Sequence, residues 1–118
     1  MFIGLKNDEL NKLIQNSDLP ILIYFYGSWC EPCRTVGPAF ETLAKELEGL
    51  YNFVKIVTDD AEEELMSEFN IRGVPTIVLF KDNKEVSRIE GSNTKEQIQE
   101  AMAKAFHGES KSYSDNNE

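Results

Sequence analysis

The chain has 118 residues and a formal charge of −9, from 12 basic against 21 acidic side chains. Its 41% hydrophobic content supports one folded domain, and the acidic balance argues against nucleic acid or anionic membrane as partners, because both are met with clustered Lys and Arg. Two cysteines are too few for a disulfide scaffold, one CxxC and a distant His107 undersupply a four-ligand zinc site, and no apolar run nears the roughly 20 residues of a membrane helix.

The first residues carry acids by position 8 and lack the basic start and longer apolar stretch of a secretory leader, so a cytoplasmic protein is expected. Asn7 is a candidate cap for a helix with Leu10, Leu13 and Ile14 on one face. Asn16, Ser17, Asp18 and Pro20 end it. Ile21 to Tyr26 is continuously apolar and aromatic, which suits a strand covered on both sides in a mainly parallel sheet. Gly27-Ser28 breaks that strand, and Trp29-Cys30-Glu31-Pro32-Cys33 follows.

Pro32 falls where the first turn of a helix is expected. That helix continues through Val36, Phe40, Leu43, Ala44 and Leu47, with Pro38 inside it and Gly49 as its stop. Phe53 to Val57 reads as a second buried strand. Asp60 with Glu63 suggests an N-terminal box for a short helix bearing Leu65, Met66 and Phe69. Arg72-Gly73-Val74-Pro75 is a turn before a third strand, Thr76 to Phe80. Glu85 to Ile89 alternates like a hairpin partner with one exposed face. Thr94 and Gln97 form a capping box for a last helix with Ile98, Ala101, Met102, Ala105 and Phe106 inward and His107 as a favourable C-terminal charge. Residues 108–118 have no apolar period and read as a disordered acidic tail after a domain of residues 1–107. Helices and strands in this order make an α/β protein with a central mixed β-sheet and helices on both faces.

Both cysteines lie in the motif that joins an apolar strand to a helix. A helix N-terminus favours an anion, and the reactive form of cysteine is the thiolate. The CxxC in a βαβ setting, Trp29 before it, Pro32 within it, Pro38 beyond it, Lys55 on the next strand, Val74-Pro75-Thr76 and Gly91 before the last helix together resemble the thioredoxin family, over about residues 2–106.

The resemblance implies a thioredoxin fold and a protein-disulfide reductase. Cys30 would be the attacking thiol and Cys33 the resolving one, with their disulfide in place of any cofactor or metal. Pro75 would be a cis-proline facing the disulfide, Val74 would pair through its backbone with an extended substrate, and Trp29, Gly91 and Ser92 would belong to the docking surface. Expected partners are disulfide-containing proteins and a thioredoxin reductase-type electron donor, met by a monomer. A binding or accessory module with little turnover is the alternative, and metal or iron–sulfur binding through the CxxC motifs of two chains is a weaker third.

Three departures from the family bear on rate and partner choice. Tyr24 stands six residues before Cys30, where the family carries a buried Asp thought to take the resolving thiol's proton. A tyrosine, with pKa near 10, is no substitute, although a core role suits Tyr24 better than a chemical one. Lys55 loses that Asp as neighbour and is left to face water or the thiols. Glu31 stands where glycine is common, and a carboxylate beside a thiolate favours the disulfide by at most a few tens of millivolts, about 30 mV being 1.4 kcal/mol. Loss of the buried Asp pushes the other way. The residue before Gly91 is Glu90, so Glu31 and Glu90 are expected to flank one acidic patch that prefers neutral or basic partner surfaces.

Overall fold

A computed structural model of the chain describes residues 1–59 and 61–108. In chain order the elements are β1 (Phe2–Ile3), α1 (Asn7–Asn16), β2 (Ile21–Tyr26), α2 (Cys33–Glu46), β3 (Asn52–Val57), α3 (Glu63–Glu68), β4 (Thr76–Lys81), β5 (Lys84–Glu90) and α4 (Lys95–His107). The strands form one sheet in the order β1-β3-β2-β4-β5. β2 runs parallel to β3 and antiparallel to β4, and β4 and β5 form the hairpin.

The alternation within β2 explains its unbroken apolarity. Ile21, Ile23 and Phe25 enter a cluster with Leu10 and Ile14 of α1 and Leu65 of α3, whereas Leu22 and Tyr24 enter one with Val36, Phe40 and Leu43 of α2 and Ile98, Met102 and Phe106 of α4. A strand with core on both sides has no face left for polar residues. No helix among the described residues is long and apolar enough to cross a membrane.

Several boundaries depart from the sequence reading. β1 is absent from it, because two residues that pair Phe2 with Val54 and Ile3 with Lys55 carry no period of their own. Lys6, not Asn7, is the N-cap of α1, and its N–H donates to Glu9 Oε1 at 2.8 Å. Asn7 instead ties α1 to α3, its N–H donating to Glu62 and its side chain to Glu64. α2 starts at Cys33 with Pro32 as its cap and ends at Glu46 with Leu47 as its C-cap. Gly49, expected to stop it, takes φ +88° in the turn beyond.

The expected box at α3 fails because Glu62 is the N-cap, and Asp60 lies outside the described residues. The Thr94–Gln97 box is present: Gln97 N–H donates to Thr94 Oγ1 at 3.1 Å and Thr94 N–H to Gln97 Oε1 at 2.8 Å. His107 closes α4 and its Nε2 lies 2.6 Å from Tyr51 Oη, so it meets a phenol as well as the helix end. Gly108, counted with the tail from sequence, is the left-handed C-cap of α4. The rest of the expected tail, 109–118, lies outside the described residues.

Candidate active site

Strand register gathers the site at one end of the sheet. Antiparallel pairing sets Phe25 opposite Thr76, so the segment leaving β2 meets the segment entering β4. Parallel pairing sets Tyr26 beside Val57, which delivers Thr58 and Asp59 to the same end. Thr76 pairs with Glu90, so the chain leaving β5 arrives there too, and Gly91 N–H donates to the Pro75 carbonyl at 3.0 Å. Three connections distant in sequence therefore gather at the sheet end that carries the CxxC segment.

Cys30 and Cys33 are joined as a disulfide with Cα atoms 5.3 Å apart. Cys30 is half-buried and Cys33 is 7% exposed within the first turn of α2. The Cys33 N–H donates to Cys30 Sγ at 3.2 Å, which aims a helix N-terminal donor at the outer sulfur. Such a donor stabilises negative charge on Cys30 by about 0.5–2 kcal/mol once the bond is opened. The donor and the greater exposure both fall on the outer sulfur, while Cys33 lies buried in the helix.

The peptide bond between Val74 and Pro75 is cis. Pro75 is buried and Val74 half-buried. Val74 and Cys30 line a hollow with Trp29, Glu31, Pro32, Asp59 and Gly27. Trp29 is 96% exposed beside the ring and is not part of the core. On the other side of Val74 and Pro75, a second hollow takes in Arg72, Glu90 and Gly91. Ser92 is exposed next to Gly91. Glu31 and Glu90 therefore open onto two hollows separated by Val74, and Glu31 carries Arg34 at 3.7 Å with both side chains about four-fifths exposed. Arg34 and Arg72 intersperse positive charge in the expected acidic patch.

Behind the disulfide, a cleft of about 250 Å³ runs between Tyr24, Tyr26, Cys33 and Lys55. Tyr24 is 1% exposed, and its Oη donates to the Cys33 carbonyl at 3.3 Å. Burial, with smaller contributions from Tyr26 and Glu41, pushes its phenol up to about 12. A phenol held protonated is a hydrogen-bond donor, not a proton acceptor. Its ring stacks on Tyr26 at 5.1 Å and packs against Phe40 at 5.1 Å, in keeping with a core role. Lys55 faces neither water nor the thiols alone: its Nζ pairs with Glu41 Oε2 at 2.6 Å and lies 4.9 Å from the Tyr26 ring centre.

Two residues of the site escaped the sequence reading. Asp59 accepts from the Ser28 N–H at 3.0 Å and from the Ser28 hydroxyl at 2.5 Å. The hydroxyl bond first, then the N–H bond, hold its carboxyl below the usual range. The pair pins the segment before the CxxC to the end of β3. The available signal was an Asp two residues after a parallel strand, at the carboxyl end where α/β sheets place their sites.

A helix-start disulfide facing a proline loop across the end of such a sheet defines a thiol–disulfide oxidoreductase of thioredoxin fold. The family model Thioredoxin matches residues 1–104. Among curated relatives, a thioredoxin of Porphyra purpurea is 37% identical over 89 residues, covering 75% of this chain and 82% of that protein. Thioredoxin X, chloroplastic, of Arabidopsis thaliana is 40% identical over 94 residues, covering 78% of this chain and 51% of the relative. The X-ray structure of Fasciola hepatica thioredoxin superposes with a TM-score of 0.79 at 34% identity, covering 89% of this chain and 99% of that one. The chain belongs to the thioredoxin family, and its CxxC pair carries protein-disulfide reductase activity.

Proposed function

We propose that the protein works in the cytoplasm as a monomeric reductant of protein disulfides, recharged by a thioredoxin reductase-type donor, with no cofactor beyond the Cys30–Cys33 dithiol. The observation that supports this reading is the Cys33 N–H aimed at Cys30 Sγ, because a helix N-terminal donor favours a thiolate at that sulfur.

In the reduced protein the Cys30 thiolate attacks one sulfur of a substrate disulfide. A Cys30–substrate bond forms, the substrate S–S bond breaks, and the departing sulfur takes the electron pair and a proton from solvent. Cys33 then loses its proton, attacks Cys30 Sγ and closes the ring. The second substrate sulfur leaves as a thiolate, so two electrons have passed to the substrate and the protein holds its disulfide. Trp29, Val74, Pro75, Gly91 and Ser92 form the docking surface in this reading, with an extended substrate segment laid along Val74 by backbone pairing. Glu31 and Pro32 tune the ring from within, Tyr24 and Lys55 from behind. Tyr24 donates to the Cys33 carbonyl, so the release step relies on an acceptor other than the phenol.

The test is reduction of insulin disulfides with dithiothreitol as electron source. Wild type accelerates precipitation of the insulin chains and Cys30→Ser does not. Equal rates for the two would remove the reading.

A further inference from the structure

We infer that the hollow beside the disulfide is a subsite for a Lys or Arg side chain next to the attacked cysteine of the substrate. The inference rests on the disulfide-reductase reading and adds the chemical class of residue that the site selects.

The hollow measures about 390 Å³ and has two kinds of wall. Trp29, Pro32 and Val74 supply apolar surface, and Trp29 is almost fully exposed, so its ring face is free to cover an aliphatic stem or meet a cation. Asp59 and Glu31 supply carboxylates at its edge. An apolar body with a positive tip matches both walls, and Lys and Arg are the side chains of that shape.

The floor is the bare backbone of Gly27. A Cβ placed there would lie 3.5 Å from Val74 Cγ2, 3.7 Å from Cys30 Cβ and 3.8 Å from Asp59 Oδ1. The apolar wall, the reacting cysteine and the carboxylate thus converge within a few ångströms, so a side chain bound here belongs to a residue bonded or adjacent to the substrate cysteine.

Asp59 is the anchor. Ser28 fixes both of its oxygens and keeps it ionised, yet each carboxylate oxygen has room for a further donor. Glu31 is the weaker partner, since it is exposed to solvent and shared with Arg34 at 3.7 Å. Among the described residues no cation lines this hollow, and Arg34, the partner of Glu31, lines the cleft on the far side of the cysteines. Arg72 belongs to the separate hollow beyond Pro75.

The experiment measures second-order oxidation of the reduced protein by cyclic disulfide peptides that differ only in the residue after the attacked cysteine: Arg, norleucine or Glu. Each rate is divided by that of dithiothreitol with the same peptide, which removes the peptide's intrinsic reactivity. Expected is the order Arg, norleucine, Glu, spanning about tenfold at low salt, as two exposed charge contacts attract one peptide and repel the other. The span shrinks to about twofold in 0.5 M salt, and Asp59→Asn or Glu31→Gln each reduces it by about half. The salt series on wild type needs no variant to fold. Equal normalised rates for the three peptides overturn the subsite while leaving the reductase reading intact, as does a span unchanged by salt or by both substitutions. If no peptide oxidises wild type, the reductase reading falls and the subsite with it.

Discussion

Replacing Tyr24 by Phe removes one hydroxyl with two opposite effects, and their balance reverses with pH. At pH 7 the phenol is neutral and donates to the Cys33 carbonyl at 3.3 Å. Phe loses that bond, at a cost of about 1 kcal/mol or somewhat less at this length. The carbonyl keeps its helical acceptor role in α2, so no buried group is orphaned. At high pH the raised pKa dominates. The unfolded phenol releases its proton through pH 10.0, whereas the folded one holds it until about 12. Between those values the folded state binds more protons than the unfolded state, so stability falls as pH rises.

The loss amounts to about 1.4 kcal/mol at pH 11 and levels off near 2.7 kcal/mol above pH 12. Tyr24→Phe is free of it. The variant is therefore the less stable protein at pH 7, equals wild type between about pH 10.5 and 11, and exceeds it beyond. Urea denaturation of both oxidised proteins at pH 7, 10 and 11 reads this directly, since about 1 kcal/mol moves the midpoint by roughly 0.5 M at an m-value near 2 kcal/mol/M. All other titrating groups are common to the pair and cancel in the difference. A variant that stays below wild type by the same margin at pH 11 would refute the reasoning, because the phenol would then titrate alike in both states.

Three further outcomes are expected. Cys33→Ser stalls at the mixed disulfide, so mass spectrometry after exposure to a protein disulfide finds the substrate covalently attached to Cys30; recovery of unmodified protein alone contradicts the assigned order of attack. Lys55→Met breaks the 2.6 Å pair with Glu41 and costs about 0.2–1 kcal/mol at low salt. The difference fades in 1 M salt, where the Debye length is about 3 Å, and a loss that ignores salt points to packing instead. Thr94→Ala removes the side-chain acceptor for Gln97 N–H and lowers stability by about 1 kcal/mol in thermal or urea melts. No change there denies the capping box its role.

Much of the fold was legible because its signals are local. The inward faces of α1, α2 and α4 follow from apolar residues repeating within two turns, and β2 announces its double burial by having only aliphatic and aromatic residues from Ile21 to Tyr26. The Thr94 box needs only residues three apart. Misplacements arose where a local rule had competitors. Asn7 and Asp60 look like caps, but Lys6 and Glu62 hold those places, and Asn7 serves the link between α1 and α3 instead. β1 exists only because β3 offers it a partner some fifty residues away.

The chemistry divides in the same way. That two thiols three positions apart sit between a buried strand and a helix is a property of the sequence alone, because chain connectivity and helix period require it. What surrounds those thiols belongs to the tertiary structure. The reach of Asp59 to Ser28, the hold of Glu41 on Lys55 and the turn of Tyr24 Oη toward the Cys33 carbonyl all depend on strand register and helix packing. Contacts of this kind span nine to thirty-one positions, and nothing in a linear pattern specifies a distance of about 3 Å across such a gap. The motif names the reaction; the packed sheet end decides which charges, which hollow and which proton donor the reaction meets.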